Sequence, residues 1–555
     1  MSPRFQSTIH SLRTYPAALL CALIGFSTAT QAQPQSWMST LTRPARIQDL
    51  ADLGTKPASE PIDVAVALKL RNKIRLDALT RDIMAGRRRP ITHAQFMREF
   101  APREEDVRRV EAHLRASGLT SIKASPNRML VNATGNSQSV AVAFNTHVHS
   151  YAMKDRLAFA NVDDAQVPGE LEHVVGAVLG LQTIHRAHTT MHVVNPNGMH
   201  RMDVVAVDPT QFQSIYGATG LPVATNANIG IVTQGDMTQT LSDLNTFASN
   251  AGYPAPNVSV TQVGTASSDT SGVGEWNMDT QASLAAAGGS VAQMVLYTAS
   301  TLSDADLTNT YNRVVSDDTV QVINVSLGEC ENDAASSGVE SSNDTIFQSA
   351  VAQGQTFSVA SGDSGSYECG GSTSYQSYPA VSPYVMAIGG TTLSSSNGNW
   401  QGETAWSCAG ASDCSRNASG GGGGGVSATE AAPSWQTASG VLGGSSQRGV
   451  PDIAFDAAPS SGALILVNGS AQQIGGTSLA APLFTGFFAR IQSANGNTVP
   501  FPATTLYQGA ANNASWFNDV TQGSNGGYSA AQGWDYVTGF GSLIVGNFAT
   551  AFQSQ

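Results

Sequence analysis

Short apolar runs alternate with amphipathic stretches along nearly the whole chain, and their spacing separates two regions. Between residues 62 and 185, a strand pattern at Asp63–Leu70 (DVAVALKL) precedes a charged stretch of helical spacing from Thr92 through Leu114. Strand-like segments follow near Ser121–Val131 and His147–Phe159, with an apolar stretch around Leu171–Val178 expected as a last helix. This reads as a small α+β domain. Residues 185–200, rich in His, Thr and Asn, read as an exposed connector, which puts a domain boundary within 186–205. Beyond it, apolar strands are expected at Ile229–Val232, Ala292–Tyr297, Val320–Val325, Thr356–Ala360, Val385–Ile388 and Leu464–Val467. Helices are expected at Gln239–Ala248, Glu275–Ala286, Asp304–Val314 and Leu479–Ser493. Strands apolar on both faces, alternating with helices, predict an α/β fold: a mostly parallel sheet covered on both faces. Functional groups on such sheets gather beyond the carboxyl ends of the strands. The run Gly420–Gly425 fits a loop within this domain that must approach something closely, rather than a linker.

At 555 residues, 41% hydrophobic and 12% charged, the chain is too apolar for disorder and too long for one domain. Its start carries Arg4 and Arg13, the apolar run Ala17–Phe26, and Thr30-Gln31-Ala32, with no acidic residue before Asp49. That is the pattern of a secretory signal over residues 1–32, too short to span a membrane, so an exported protein without a membrane segment is expected. Removing it removes Cys21 and leaves four cysteines; in an oxidising compartment these favour the disulfides Cys330–Cys369 and Cys408–Cys414.

Charge sharpens the division. Residues 1–200 are net +7 and residues 201–555 net −20, the latter with five arginines and no lysine. An acidic second region makes nucleic acid an unsuitable partner. All ten histidines lie at or before His200, so chemistry carried by residues 201–555 alone must use neither imidazole nor a lysine amine.

Four constellations remain. Ile474-Gly-Gly-Thr-Ser-Leu-Ala-Ala-Pro482 places Ser478 at the start of a helix after a Gly-Gly turn, where the helix dipole favours a developing oxyanion. Glu275 and Asp279 lie one turn apart on one helical face, where like charges raise the pKa of one member. Asp363 stands in Ser-Gly-Asp-Ser-Gly directly after an apolar strand, and if protonated would donate to an oxyanion. Asp519 and Asp535, separated by glycine-rich turns, offer oxygen ligands of the kind calcium takes. Taken singly, each also fits a bland role: an N-cap serine, a solvated helix face, a turn aspartate, a pair of structural turns.

Taken in order, Gly-Glu275-Trp-Asn-Met-Asp279, Ser-Gly-Asp363-Ser-Gly, Gly-Gly-Thr-Ser478-Leu-Ala-Ala-Pro, and Asp519-Val-Thr-Gln-Gly with Gly533-Trp-Asp535 resemble the sedolisin family of serine-carboxyl peptidases, acid-acting relatives of subtilisins. The resemblance implies a subtilisin-like peptidase domain over 189–555 behind an activation propeptide over 33–188. It implies Ser478 as nucleophile, Glu275 as general base, Asp279 as its partner and Asp363 as the oxyanion acid. It further implies one structural calcium ion held by the Asp519 and Asp535 side chains and the carbonyls of Val520, Ala531 and Gly533; Ala531 stands where relatives often have glycine. The expected partners are peptide substrates and the chain's own propeptide as an intramolecular inhibitor, with the protein a monomer. Opposite net charges predict that propeptide arginines, Arg87, Arg88 and Arg89 among them, hold the two regions together until acid neutralises the carboxylates. Two rivals are a pepsin-like aspartic peptidase, for which Asp269-Thr-Ser-Gly is a poor second D-[ST]-G turn, and a non-catalytic secreted binding protein on the same frame.

Overall fold

Nine-, eleven- and fourteen-residue elements rich in Val, Ile and Ala build the larger domain, and their alternation gives the expected layers. The computed structural model describes residues 36–47, 50–193, 206–415 and 418–553; the signal segment lies outside them. The sheet consists of β1 (Ala224–Gln234), β2 (Val258–Val263), β3 (Val291–Ala299), β4 (Val322–Val325), β5 (Thr356–Ala360), β6 (Met386–Ser396), β7 (Asn399–Ala405) and β8 (Ile453–Asp456). Its order is β2-β3-β1-β4-β5-β6-β7 with β8 also beside β6, and all pairs are parallel except β6–β7. Helices α1 (Thr238–Asn250), α2 (Val273–Ala286), α3 (Asp304–Asp317), α4 (Val339–Gln353) and α5 (Thr477–Ala494) cover it. Every residue of β5 and all of α2 but Gly274 are buried, which explains why neither shows a polar face in sequence. The run Leu464–Val467 is a strand but lies outside this sheet, in an antiparallel hairpin with Ser470–Gly475.

The front domain is a four-stranded antiparallel sheet in which Ile62–Leu68 lies between Leu130–Gly135 and Val175–Leu179. The stretch expected as a last helix is therefore a strand: Val175–Leu179 carries two β-branched valines, pairs with Ile62–Leu68 along its length, and five residues suffice for a strand. The charged stretch expected as one helix is two, His93–Glu99 and Glu104–Ala116, because Pro102 disfavours helical backbone at Ala101 and removes a donor. Along Ile62–Leu68 the period of two serves two cores. Ile62, Val64, Val66 and Leu68 pack with Val107, Leu114 and Val178 inside the front domain, whereas Ala65 and Ala67 belong to the core shared with the larger domain. Small side chains there let α3 and α4 approach the sheet.

The join between the domains is apolar and amide-rich. Leu76, Leu79, Ile83, Phe96 and Met129 share a core with Phe347 and Ile346 of α4. Across it Asn127 Nδ2 donates to Asn312 Oδ1 (2.6 Å), Asn132 to Asn309 (2.8 Å), and the Ile91 backbone to the Ala352 carbonyl (2.8 Å). The expectation of arginine docking is corrected: among the described residues the front-domain arginine pairs stay within that domain, as Arg75–Glu99, Arg87–Asp82 and Arg109–Asp106 do. The ion pairs that cross are His185–Asp333 (3.0 Å) and His192–Asp363 (3.4 Å). A long charged side chain facing an apolar helix surface would have to desolvate; an alanine or amide does not.

Both disulfides, Cys330–Cys369 and Cys408–Cys414, are formed. One charged pair lies at the centre: Arg448 and Asp452 have no exposed side-chain surface and meet at 2.8 Å, with Tyr507 Oη and the Ala387 N–H also donating to Asp452. Arg448 stacks over the Trp435 ring. Asp452→Ala leaves a buried guanidinium without its anion and is expected to cost about 3–5 kcal/mol in a denaturant titration; a midpoint equal to wild type would show that the pair contributes nothing.

Candidate active site

Beyond the carboxyl ends of β1, β4 and β5, three buried segments converge. Helix α2 begins at the Gly272–Gly274 turn and carries Glu275 in its first turn and Asp279 one turn on, both wholly buried. Desolvation pushes the Glu275 pKa well above the carboxylate range, and the nearby Asp279 and Asp363 charges push it further, while the adjacent Ser478 hydroxyl pulls it back. Asp279 is likewise raised by burial, opposed by hydrogen bonding from Ser326 and Asn324; Ser326 Oγ donates to Asp279 Oδ1 at 2.5 Å. Burial thus favours the protonated form at both acids.

Ser478 lies at the second position of α5, behind Gly476, whose φ of 116° lies in the region that favours glycine. Pro482, inside α5, lacks the N–H that would otherwise bond the Ser478 carbonyl. Asp363 follows β5, and its Oδ1 accepts from the Thr477 backbone (2.8 Å) and the Thr477 hydroxyl (2.7 Å). That arrangement leaves Oδ2 to face the cleft. The sequence-expected quartet of Glu275, Asp279, Asp363 and Ser478 is thus brought to one place.

The connector, expected to be exposed, enters this cleft. His188–Thr189 pairs antiparallel with Leu327–Gly328, and His192–Val193 with Ile474–Gly475. Thr190, only 1% exposed, bridges the two ladders. Its Oγ1 lies 2.6 Å from Ser478 Oγ, and its carbonyl oxygen accepts from the Ser478 N–H at 3.4 Å. A Cβ on Gly476 would fall 2.1 Å from that carbonyl oxygen and 2.7 Å from Asp363 Oδ2, so glycine is needed where the two oxygens flank the chain. Met191 lies against Gly274, where a Cβ would come 2.9 Å from its Cε. His192 Nε2 is 3.4 Å from Asp363 Oδ2, with its ring edge-on to Trp406 at 5.4 Å between centroids. An imidazole does reach the site, although residues 201–555 supply none. Sequence reasoning missed Thr190, Met191, His192 and Trp406; the one available signal was that a connector between oppositely charged halves carried so few charges.

Ser478 Oγ thus lies between Thr190 Oγ1 and the Glu275 carboxyl, the acid its hydroxyl reaches. The arrangement has the parts for acyl transfer: a hydroxyl at a helix start, buried acids able to accept and return its proton, and an N–H with a carboxyl beside the carbonyl oxygen.

The expected calcium residues lie in the C-terminal loops. Gly533 N–H donates to Asp519 Oδ2 (2.9 Å), Ala531 N–H to Asp535 Oδ2 (2.9 Å), and the Val537 and Thr538 N–H groups to Asp535 Oδ1 (2.8 Å each). Two carboxylates meet one turn, and with the carbonyls of Val520, Ala531 and Gly533 the donor set is all oxygen, which fits a hard divalent cation. No group of three or more His, Cys, Asp or Glu side chains suited to a metal occurs among the described residues.

A family model described as the pro-kumamolisin activation domain matches residues 48–184, and one described as the subtilase family matches residues 223–541. The chain is 42% identical to xanthomonalisin of Xanthomonas sp. (strain T-22), over 97% of this chain and 71% of that protein. It is 40% identical to sedolisin of Pseudomonas sp. (strain 101), over 99% of this chain and 98% of that protein. A solved structure of Pseudomonas sedolisin, a serine-carboxyl proteinase complexed with two molecules of pseudo-iodotyrostatin, matches with a TM-score of 0.60 and 43% identity, over 63% of this chain and 99% of that one.

The buried acids set a pH dependence of stability. Desolvation raises Asp304 and Asp318 to about 6 and Glu340 to about 7, against about 4 in an unfolded chain. Between those values the folded protein binds protons that the unfolded chain has released, so its stability falls as pH rises through that window. His185, raised by Asp333 against the opposing cost of burial, acts in the same direction. Asp236, Asp269 and Asp413, held low by hydrogen bonds, withdraw stability only at still lower pH. The Ser478→Ala chain is expected to melt at a higher temperature at about pH 4.5, near the acid end of that window, than at about pH 8, beyond its alkaline end; the opposite order contradicts this account.

Proposed function

The chain belongs to the sedolisin family of peptidases, with that family's activation domain ahead of a subtilase-type domain, and from this premise we propose that it is an exported, acid-acting serine-carboxyl peptidase made as a self-activating proenzyme. The observation that carries the proposal is the seating of Thr190 on Ser478. A peptide carbonyl beside a nucleophile's own N–H, flanked by sheet ladders on both sides, is a bound substrate in form. The front domain delivers it and at the same time keeps other peptides out.

In the reaction, Glu275 takes the Ser478 proton as Oγ attacks the Thr190 carbonyl carbon, and Asp279 tunes the glutamate. The Ser478 N–H and the proton on Asp363 Oδ2 stabilise the oxyanion. As the C–N bond to Met191 breaks, Glu275 returns the proton to the departing nitrogen. Water, its proton taken by the same glutamate, then releases Thr190 as a free carboxylate. Every group required is a carboxyl or hydroxyl, and Asp363 must be protonated to donate, which places the working range at acid pH.

Acidification of the intact proenzyme is expected to produce a new N-terminus at Met191, read by mass. Ser478→Ala and Glu275→Gln should each leave the chain uncut and lower peptide hydrolysis by more than about a thousandfold. Cleavage of purified Ser478→Ala protein at that bond would overturn self-processing, and near wild-type hydrolysis by Glu275→Gln would overturn its role as base.

We propose as well that Asp519, Asp535 and the carbonyls of Val520, Ala531 and Gly533 hold calcium, whose charge would lock the C-terminal loops together. A ligand bound only to the native state raises its stability. Chelation is expected to lower the melting temperature of the wild type and to leave Asp519→Ala unaffected; an unchanged wild-type melting temperature would exclude the site.

A further inference from the structure

The connector also shows how the cleft holds residues on the far side of the bond. With Thr190–Met191 as the reacting bond, His192 is the second residue after it. Its ring meets three elements that are remote in sequence. Trp406, at the end of β7, presents its ring edge-on at an interplanar angle of 85°. Gly420 opens the glycine run, and a Cβ there would lie 2.8 Å from Trp406 Cζ2 and 3.1 Å from His192 Cε1. Asp363 closes the polar end, 3.4 Å from Nε2. The pocket is built rather than incidental. Trp406 is 4% exposed and packs on Ala457 and Ala458, and its backbone bonds to Gly390 and Gly422 fix its direction. Gly420 has a positive φ of 67°, and its successor donates to the Asp363 carbonyl. The loop and the acid are therefore one unit.

We propose that Trp406 and Gly420 form a specificity pocket for the second residue after the scissile bond, and that it selects a flat ring. The proposal rests on the peptidase reading and on the position of the reacting bond. An aromatic edge contact is satisfied by any flat ring of this size, and Asp363, whose Oδ2 carries the oxyanion proton in the reaction, adds no selection of its own. The glycine floor admits the ring and has no atoms to reward a small side chain.

The test uses enzyme matured from the wild-type chain and four peptides that differ only at this position, bearing His, Phe, Gln or Ala. The expected order of kcat/KM is His and Phe first, Gln and Ala last, with His over Ala by about tenfold, the scale of one ring contact in a packed site. The gain should lie mainly in KM, as for a group bound alike in ground and transition states. In Trp406→Ala the His-to-Ala ratio should fall to about one, while Trp406→Phe, which keeps a ring, should retain part of it. Hydrolysis of all four peptides with equal kcat/KM by the wild-type enzyme would overturn the pocket while leaving the peptidase reading intact. A Trp406→Ala enzyme that keeps the wild-type ratio would equally overturn it.

Discussion

Removing carboxyl groups from water is the constraint on which this molecule turns. Glu275, Asp279, Asp363 and Asp456 are each within 1% of full burial, and among the described residues no arginine or lysine pairs with them as Arg448 pairs with Asp452. Buried anions without cations are costly, so burial favours the protonated form, and a base must be the one acid among them that can still give its proton up. With that go the close packing of α2 on α5 and, in the reaction proposed above, a working range on the acid side. A histidine base would work against this design, since at acid pH its cationic form could accept no proton.

The second constraint is how two domains of opposite net charge meet. Net charge pointed to an electrostatic clamp, but contact is made through alanines, an apolar patch and side-chain amides, and the basic side chains that meet a carboxylate across it within 4 Å among the described residues are His185 and His192. Arginines serve the front domain's own surface instead. The sum of charges over a domain says little about which of them point at a partner.

Much of this was legible before any coordinates. The alternation of apolar runs with helical stretches pointed to the parallel sheet; Glu275, Asp279, Asp363 and Ser478 each fitted a bland role alone and became one site only through the resemblance of the motifs in their order, and the structure brings the four together. Cysteine count and compartment gave both disulfides. What was not legible depended on tertiary context. Residues Val175–Leu179 read as helix because an apolar stretch of that length fits either element until its neighbours are known. The hairpin at Leu464–Val467 could not be told from a sheet strand by its composition. The connector's polarity suggested solvent, whereas its main chain was supplying the hydrogen bonds; ladders are blind to side chains, so no pattern marks a segment that pairs with two different edges.

Among the described residues, each of those edges holds the connector by two residues. A ladder that short has little affinity of its own, since a net hydrogen bond contributes about 1 kcal/mol. It persists because the intact backbone confines it, at an effective concentration that a free peptide would match only at about millimolar levels. Cutting between the two ladders would end that confinement for the downstream strand while leaving the upstream one tied to a docked domain. The two halves of the cleft would then empty at different rates, and the side beyond the cut, where His192 sits, would be the first to become available to another chain.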